Sequence, residues 1–195
     1  MALGNTSDES LERVLEKCAL LAEDLRLRSV EQWKAAHPGG LAVGYLPVYV
    51  PRPLFEAIGV LPVSVAGGGD QVDIIKGDSY FQSYICHLPR STIEMALAGY
   101  FDPLDGMVFP STCDVIRNLS GMWQLLFPKK YGAYLDLPQN FDAQLGGRFY
   151  EQELGRIAAE LAAHGAKDLK NENLWEAIEF ENERWRMLVQ LSEIR

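Results

Sequence analysis

Two of the three cysteines, Cys86 and Cys113, lie where a loop is predicted to turn into a helix. An amphipathic run over residues 90–98 follows Cys86, and a helical pattern over residues 114–126 follows Cys113. The free N–H groups and positive dipole end of a helix N-terminus stabilise a thiolate. A stabilised thiolate is a metal ligand or a nucleophile. This placement allows the two cysteines to converge on one site.

Four chemistries are open to this pair. A zinc site usually needs four ligands, often in close pairs, and no such pair is present. A nucleophilic cysteine needs a base, and His87 adjoins Cys86, although sequence neighbours rarely point at each other. A redox disulfide is unusual without CxxC spacing, and an iron–sulfur cluster usually needs four thiolates. On spacing alone, two buried structural cysteines are the favoured interpretation.

Apolar segments that end at proline or glycine alternate with helical patterns along the middle of the chain. Buried parallel strands read in this way, and the alternation predicts an α/β fold with a parallel, Rossmann-like sheet flanked by helices. Ligands bind beyond the carboxyl ends of such strands, where Cys113 lies. The predicted strands are residues 41–50, 60–66, 104–110 and 131–137, and the predicted helices between them are 53–58, 91–98 and 114–126.

An N-terminal helix and a C-terminal helical extension flank this predicted sheet. Residues 10–28 carry apolar side chains at three- and four-residue spacing, with Ser7 or Asp8 as a cap. Cys18 falls on that apolar stripe and is expected to be a small core residue. Helical patterns also cover residues 149–163 and the segment after Asn171. The predicted organisation is a helical segment over 1–40, an α/β domain over 41–141 and a helical extension over 142–195.

Composition limits the function classes. The chain has 195 residues, of which 48% are hydrophobic and 23% charged, and a net charge of −9. No basic cluster stands out, so a nucleic-acid partner is not expected. Neither a signal-peptide core nor an uninterrupted apolar span is present, so we expect a cytoplasmic protein with no membrane partner. Three cysteines cannot all pair with one another, and free or metal-bound thiols suit that compartment.

Five stretches carry a resemblance to a known family: GYLPVYVPRPLFEAIGVLPV (44–63), YICHLPRSTIEMALAG (84–99), LDGMVFPSTCDVIRNLSGMW (104–123), LDLPQN (135–140) and NENLWEAIEFENERWRMLVQLSEIR (171–195). They resemble the 2-hydroxyacyl-CoA dehydratase and benzoyl-CoA reductase family. Within it, the segments that contain Cys86 and Cys113 are most similar to the C (gamma) subunits of ATP-dependent reductases.

The resemblance implies a [4Fe-4S] cluster held by three cysteines, of which Cys86 and Cys113 match the first two positions. The third belongs to a second α/β domain, so we expect this chain to be an N-terminal fragment, inactive in isolation. The implied reaction is the two-electron dearomatisation of benzoyl-CoA to a cyclic dienoyl-CoA. The implied partners are benzoyl-CoA or another acyl-CoA, a homologous B subunit and ATP-hydrolysing electron-activating subunits.

Two other functions remain open at this point. One is a subunit of a [4Fe-4S] 2-hydroxyacyl-CoA dehydratase, a lyase that eliminates water. The other is a non-catalytic domain that only scaffolds a heteromer. Among nearby polar residues, His87 is a weak candidate proton donor. Asp114 is expected to stabilise the first turn of its helix.

Three further charged residues and a glycine run have structural interpretations that we favour. Arg90 and Arg117 could meet coenzyme A phosphates, but surface pairing with carboxylates is commoner. Glu56 could act as a base, although its position on a short helix suggests a structural role. The run Gly67-Gly68-Gly69 could cradle a phosphate, but it lacks the spacing of known phosphate loops and is expected to form a turn.

Overall fold

The protein is an α/β fold built on one parallel sheet. The computed structural model describes residues 10–194. The strands are β1 (Leu41–Tyr45), β2 (Val60–Ser64), β3 (Gly106–Pro110) and β4 (Tyr131–Leu135), in the spatial order β2-β1-β3-β4. The helices are α1 (Leu11–Ala22), α2 (Arg28–Ala36), α3 (Arg52–Ala57), α4 (His87–Leu97), α5 (Asp114–Leu126), α6 (Arg148–Ala163) and α7 (Asn171–Glu193). The predicted fold class is confirmed.

Both faces of the sheet are covered. Along β3, Met107 and Phe109 belong to one apolar core and Val108 to the other, and all three side chains are fully buried. Residues of α2, α4 and α5 complete the first core, and residues of α3 and α6 complete the second. A strand buried on both faces needs a continuous apolar run, which explains why β3 reads Met-Val-Phe.

The predicted helix over residues 10–28 is wrong at its C-terminal end. Helix α1 ends at Ala22 because the Asp24 carboxylate accepts hydrogen bonds from the backbone N–H groups of Arg28 (2.9 Å) and Ser29 (2.7 Å), which start α2. The side chain of Ser10 accepts from the backbone N–H of Arg13 and caps α1. The caps expected at residues 7 and 8 lie outside the described part of the chain.

The core position expected for Cys18 is also wrong. Cys18 is exposed, and none of the α1 side chains is buried. The apolar stripe of α1 therefore faces outward in this chain.

Strand β1 is shorter than predicted. It ends at Tyr45, and Val48 and Tyr49 then take left-handed backbone angles that an extended strand cannot contain. By contrast, α5 covers the predicted residues 114–126. Helix α4 begins earlier than predicted, at His87, because Pro89 fits the first turn of a helix.

Helix α6 packs on the same sheet as the other helices of its face. Ile157 and Leu161 are each 1% exposed within the second core, and α7 packs against α3. The predicted division at residue 142 stays a prediction. Over residues 10–194, no helix combines the length and apolarity needed to cross a membrane.

Candidate functional site

The order of the strands puts a topological switch point at the carboxyl edge of the sheet, where open α/β sheets form their ligand crevice. The chain leaves β1 towards α3 on one face, whereas it leaves β3 towards α5 on the other face. Strands β1 and β3 are neighbours, and the backbone N–H of Leu46 donates to Val108 O (3.3 Å) just past the end of β1. Ligands of open parallel sheets bind where neighbouring connections diverge in this way.

Cys113 lies at this edge, after β3, as the N-cap of α5. The loop that carries it is tied to β4, because Ser111 N donates to Leu135 O and Leu137 N donates to Ser111 Oγ, both at 2.9 Å. Cys113 has an extended backbone (φ −164°), is exposed, and makes no side-chain capping bond. Its thiol is therefore available to a ligand at a helix N-terminus.

Cys86 occupies the matching position on α4, as its N-cap residue. It too is exposed and makes no side-chain capping bond. The loop after β2 lies against the first turns of α4, since Gly68 N donates to Ser91 Oγ (3.2 Å). A Cβ at Gly67 (φ +75°) would lie 2.6 Å from that same oxygen. The glycine run therefore forms a turn that brings this loop close to α4.

Glu94 fixes the segment that leads to Cys86. It is only 7% exposed, and its carboxylate accepts from the backbone N–H groups of Ile75 (2.9 Å) and Gly77 (2.7 Å). Sequence reasoning missed this role, although a glutamate between Ile93 and Met95 on an apolar helix was a usable signal. The loop before α4 is thus held by a buried carboxylate.

The two cysteines share an edge and a face of the sheet. Helices α4 and α5 pack against each other on the same face, and each begins at the carboxyl edge with its cysteine as N-cap. The interpretation as buried structural cysteines is therefore wrong, since both thiols are exposed. Exposed thiols beside free backbone N–H groups and the positive end of a helix dipole are suited to metal ligation.

The other polar candidates either contact another side chain or are exposed. Arg90 pairs with a carboxylate as expected, with Nε donating to Asp78 Oδ1 at 2.8 Å. Arg117 instead lies over the ring of Tyr134, 4.8 Å from its centroid, and pairs with no carboxylate among the described residues. His87 and Asp114 are exposed first residues of α4 and α5.

Glu56 is half-buried between α3 and α7. Burial raises the pKa of its carboxyl group, the nearby Glu181 raises it further, and Arg52 opposes both. Arg52 also forms an ion pair with Glu181 across these helices. The surroundings of Glu56 thus belong to a helix–helix contact on the second face, away from the face that carries the cysteines.

The donor set fits part of an iron–sulfur cluster. Two exposed thiols at helix N-termini supply two of the usual four cysteine ligands. Within residues 10–194, no group of three or more histidine, cysteine, aspartate or glutamate side chains is arranged around a metal-sized space.

Comparison with known proteins identifies the family. The profile described as "2-hydroxyglutaryl-CoA dehydratase, D-component" matches residues 47–195. The chain belongs to this family. The C subunit of the benzoyl-CoA reductase of Thauera aromatica is 46% identical over 177 residues, which make up 91% of this chain and 46% of that protein.

This chain is also similar to subunits of dehydratases, at lower identity. The beta subunit of (R)-phenyllactyl-CoA dehydratase of Clostridium sporogenes is 28% identical over 77% of this chain and 40% of that protein. The beta subunit of (R)-2-hydroxyglutaryl-CoA dehydratase of Acidaminococcus fermentans is 28% identical over 74% of this chain and 38% of that protein. The chain thus spans about half the length, or less, of the curated relatives it matches. The resemblance stated from the sequence is confirmed.

Proposed function

We propose that this chain is part of a cluster-bearing, C-type subunit of a benzoyl-CoA reductase. The observation that carries the proposal is the position of Cys86 and Cys113, both exposed and both N-caps of adjacent helices at one edge of the sheet. In this proposal, residues 41–141 form the cluster domain, and residues 142–195 lead to a second domain that supplies the third cysteine.

In this proposal, the chain's own residues hold the cluster and adjust its reduction potential. Cys86 and Cys113 supply two thiolate ligands, and the first N–H groups of α4 and α5, which lack partners within their helices, are available as donors to the sulfurs. Such hydrogen bonds raise the reduction potential of a bound cluster. When bound, the [4Fe-4S] cluster supplies one-electron transfer at low potential. Ser111 keeps the Cys113 loop on β4, so the ligand position is fixed before binding.

The reaction we propose is the addition of two electrons and two protons to the ring of benzoyl-CoA, which gives a cyclic dienoyl-CoA. The first electron is the hard step because it breaks aromaticity, and the thioester carbonyl delocalises the added charge. The proposed partners are a homologous B subunit and ATP-hydrolysing subunits that deliver the electrons. A reducing cytoplasm is the compartment that suits free thiols.

A dehydratase subunit is the second candidate, because three dehydratase beta subunits match at 26–28% identity. The reductase is favoured because the reductase subunit matches at 46%. Turnover by the assembled complex separates the two. We expect two electrons to be consumed for each benzoyl-CoA converted. Loss of water from a 2-hydroxyacyl-CoA with no net electron consumption would contradict the reductase and support the dehydratase.

A scaffolding role makes a different prediction for the same complex. Under it, Cys86→Ser and Cys113→Ser leave both assembly and turnover intact. Under our proposal, each substitution abolishes turnover while the subunits still assemble, as size-exclusion chromatography would show. Cys18→Ser is the matched control, because Cys18 is also exposed but lies within α1 and not at a helix N-terminus.

A further inference from the structure

Two adjacent residues after β1 have an unusual backbone. Val48 (φ 82°) and Tyr49 (φ 67°) lie in the left-handed region, which disfavours residues with a Cβ and disfavours β-branched residues most. Within residues 10–194, glycine occupies six other left-handed positions: Gly39, Gly59, Gly67, Gly69, Gly99 and Gly165. At these other positions the left-handed geometry is adopted by glycine. The presence of side chains at residues 48 and 49 therefore needs a separate explanation.

Packing does not supply that reason. The remaining non-glycine residue with positive φ among residues 10–194 is Leu27, whose side chain packs against the first core. Val48 and Tyr49 belong to neither core and are 57% and 62% exposed. Backbone strain that no packing of the side chain compensates is typical of binding sites, where it holds side chains in the orientation that a ligand needs.

The segment that carries these side chains is clamped at both ends. Leu46, 2% exposed, is anchored in the first core, and Val50 packs against the second. Beyond it, Leu54 N donates to Pro51 O at 3.0 Å and starts α3. Because the two anchors lie on opposite faces of the sheet, the tip between them has little freedom. Its two exposed side chains therefore lie at the carboxyl edge on a backbone that is anchored on both sides.

That edge is the topological switch point already described. Val48 and Tyr49 follow β1, Cys113 follows the neighbouring strand β3, and the two connections leave towards opposite faces. Exposed valine and tyrosine side chains and an exposed thiol therefore follow neighbouring strands at the same edge of the sheet. A ligand that binds at this switch point is within reach of both loops.

We propose that Val48 and Tyr49 form the surface that binds an aromatic acyl group of a coenzyme A thioester. This inference rests on the proposed function for the choice of a thioester, and on the backbone and exposure of these two residues for the contact. An aromatic acyl ring gains affinity from a tyrosine face and an aliphatic neighbour, whereas an acetyl group offers little surface to either. Specificity for the acyl group is thus assigned to residues outside the cysteine loops.

The test measures dissociation constants for benzoyl-CoA and acetyl-CoA on the 195-residue chain by calorimetry. We expect the chain to prefer benzoyl-CoA by about tenfold, in line with one good aromatic contact. Tyr49→Asn keeps a residue that tolerates the left-handed backbone but removes the ring, and we expect it to abolish the preference. Tyr49→Phe keeps the ring and should retain it. Val48→Asn should weaken benzoyl-CoA binding and leave acetyl-CoA binding unchanged.

The control and the opposing results are equally specific. Leu125→Ala removes an exposed apolar side chain near the C-terminal end of α5 and should leave the preference unchanged. Thermal unfolding should show that Tyr49→Asn is no less stable than the parent chain, because the strain falls. Equal binding of the two thioesters by the parent chain, or an unchanged preference in Tyr49→Asn, would overturn the inference.

Failure of this inference can be told from failure of the proposed function, because binding is measured without iron. A chain that binds cluster iron through Cys86 and Cys113 but shows no dependence on Tyr49 refutes only the inference. A chain with ring-dependent binding and no cluster refutes only the proposed cluster role.

Discussion

Cys86 and Cys113 differ from Cys18 in backbone position. All three thiols are exposed, but only Cys86 and Cys113 are N-cap residues of helices. The loop–helix boundaries could be predicted from proline positions and apolar spacing, but spacing alone favoured two buried structural cysteines, and the family resemblance made them candidate ligands. The exposure of the thiols could not be predicted from the sequence, because exposure depends on which surfaces the rest of the fold covers.

Glu94 shows what single-residue reasoning leaves out. A buried carboxylate is costly unless it is hydrogen-bonded, and two backbone N–H groups meet that need here. Helical periodicity assigns residue 94 to a face but does not name partners 17 and 19 residues away. Long-range partners of this kind are decided by the path of the loop.

Replacing Glu94 tests this anchor. Glu94→Ala leaves the N–H groups of Ile75 and Gly77 without their acceptor, and we expect the free energy of unfolding to fall by about 2–4 kcal/mol. Urea denaturation measures the loss. Glu94→Gln is the matched control, because its amide oxygen still accepts and the loss should be smaller. Equal stability of Glu94→Ala and the parent chain would show that the loop is held by other contacts.

The bounds of the helices and strands could be predicted from local sequence signals to different degrees. Helix α5 matches its predicted range because apolar spacing, a proline before it and another after it all agree. The predicted N-terminal helix is too long because the apolar spacing continues past Asp24, whose side chain bonds to the next helix instead. The predicted first strand is too long because nothing in the sequence 46–50 indicates a left-handed turn without glycine.

Substitution of Gly106 in β3 and of Gly121 in α5 by alanine should change the stability of the chain in opposite directions. A Cβ at Gly106 would lie 2.5 Å from the Cβ of Tyr131 on the paired strand β4, so Gly106→Ala forces the strands apart. We expect it to lower the free energy of unfolding by about 1–3 kcal/mol. Gly121 lies within α5 with open space around it, so Gly121→Ala should raise stability by up to about 1 kcal/mol.

Chemical denaturation of the two variants side by side checks this pair. A stability loss at both positions would mean that α5 has neighbours beyond those in the described chain. No loss at Gly106 would mean that the spacing between β3 and β4 can relax.

At the scale of the whole molecule, the long helix α7 is joined to the α/β body through α3. The ion pair between Arg52 and Glu181 spans this contact, and Glu56 lies beside it. Burial and the charge of Glu181 raise the pKa of Glu56, so the folded chain holds that proton more tightly than the unfolded chain does. Ionised Glu56 therefore weakens the contact between these helices.

The sign of the pH dependence follows from this shift. The stability associated with protonated Glu56 is fully present below the ordinary glutamate pKa of about 4.3 and is lost as the pH rises through the raised value. Glu56→Gln cannot ionise, so at about pH 7 it should be more stable than the parent chain, with a gap that closes towards about pH 4. Thermal unfolding across this range measures the gap.

The control for this series is Glu176→Gln, since Glu176 is an exposed residue on α7. Its gain at about pH 7 should be smaller than that of Glu56→Gln, because its side chain is exposed. A gain of equal size for both variants would mean that net charge, and not the burial of Glu56, sets the pH dependence.

The central claim is that Cys86 and Cys113 hold an iron–sulfur cluster, and anaerobic iron and sulfide analysis with electron paramagnetic resonance tests it most directly. The full-length subunit that we propose, with its second domain, is co-expressed with its proposed partner as the parent and as Cys18→Ser, Cys86→Ser and Cys113→Ser. We predict a cluster signal in the parent and in Cys18→Ser, and its loss in the other two variants. Retention of iron and signal in Cys86→Ser and Cys113→Ser, or no iron in a folded parent complex, would contradict the claim.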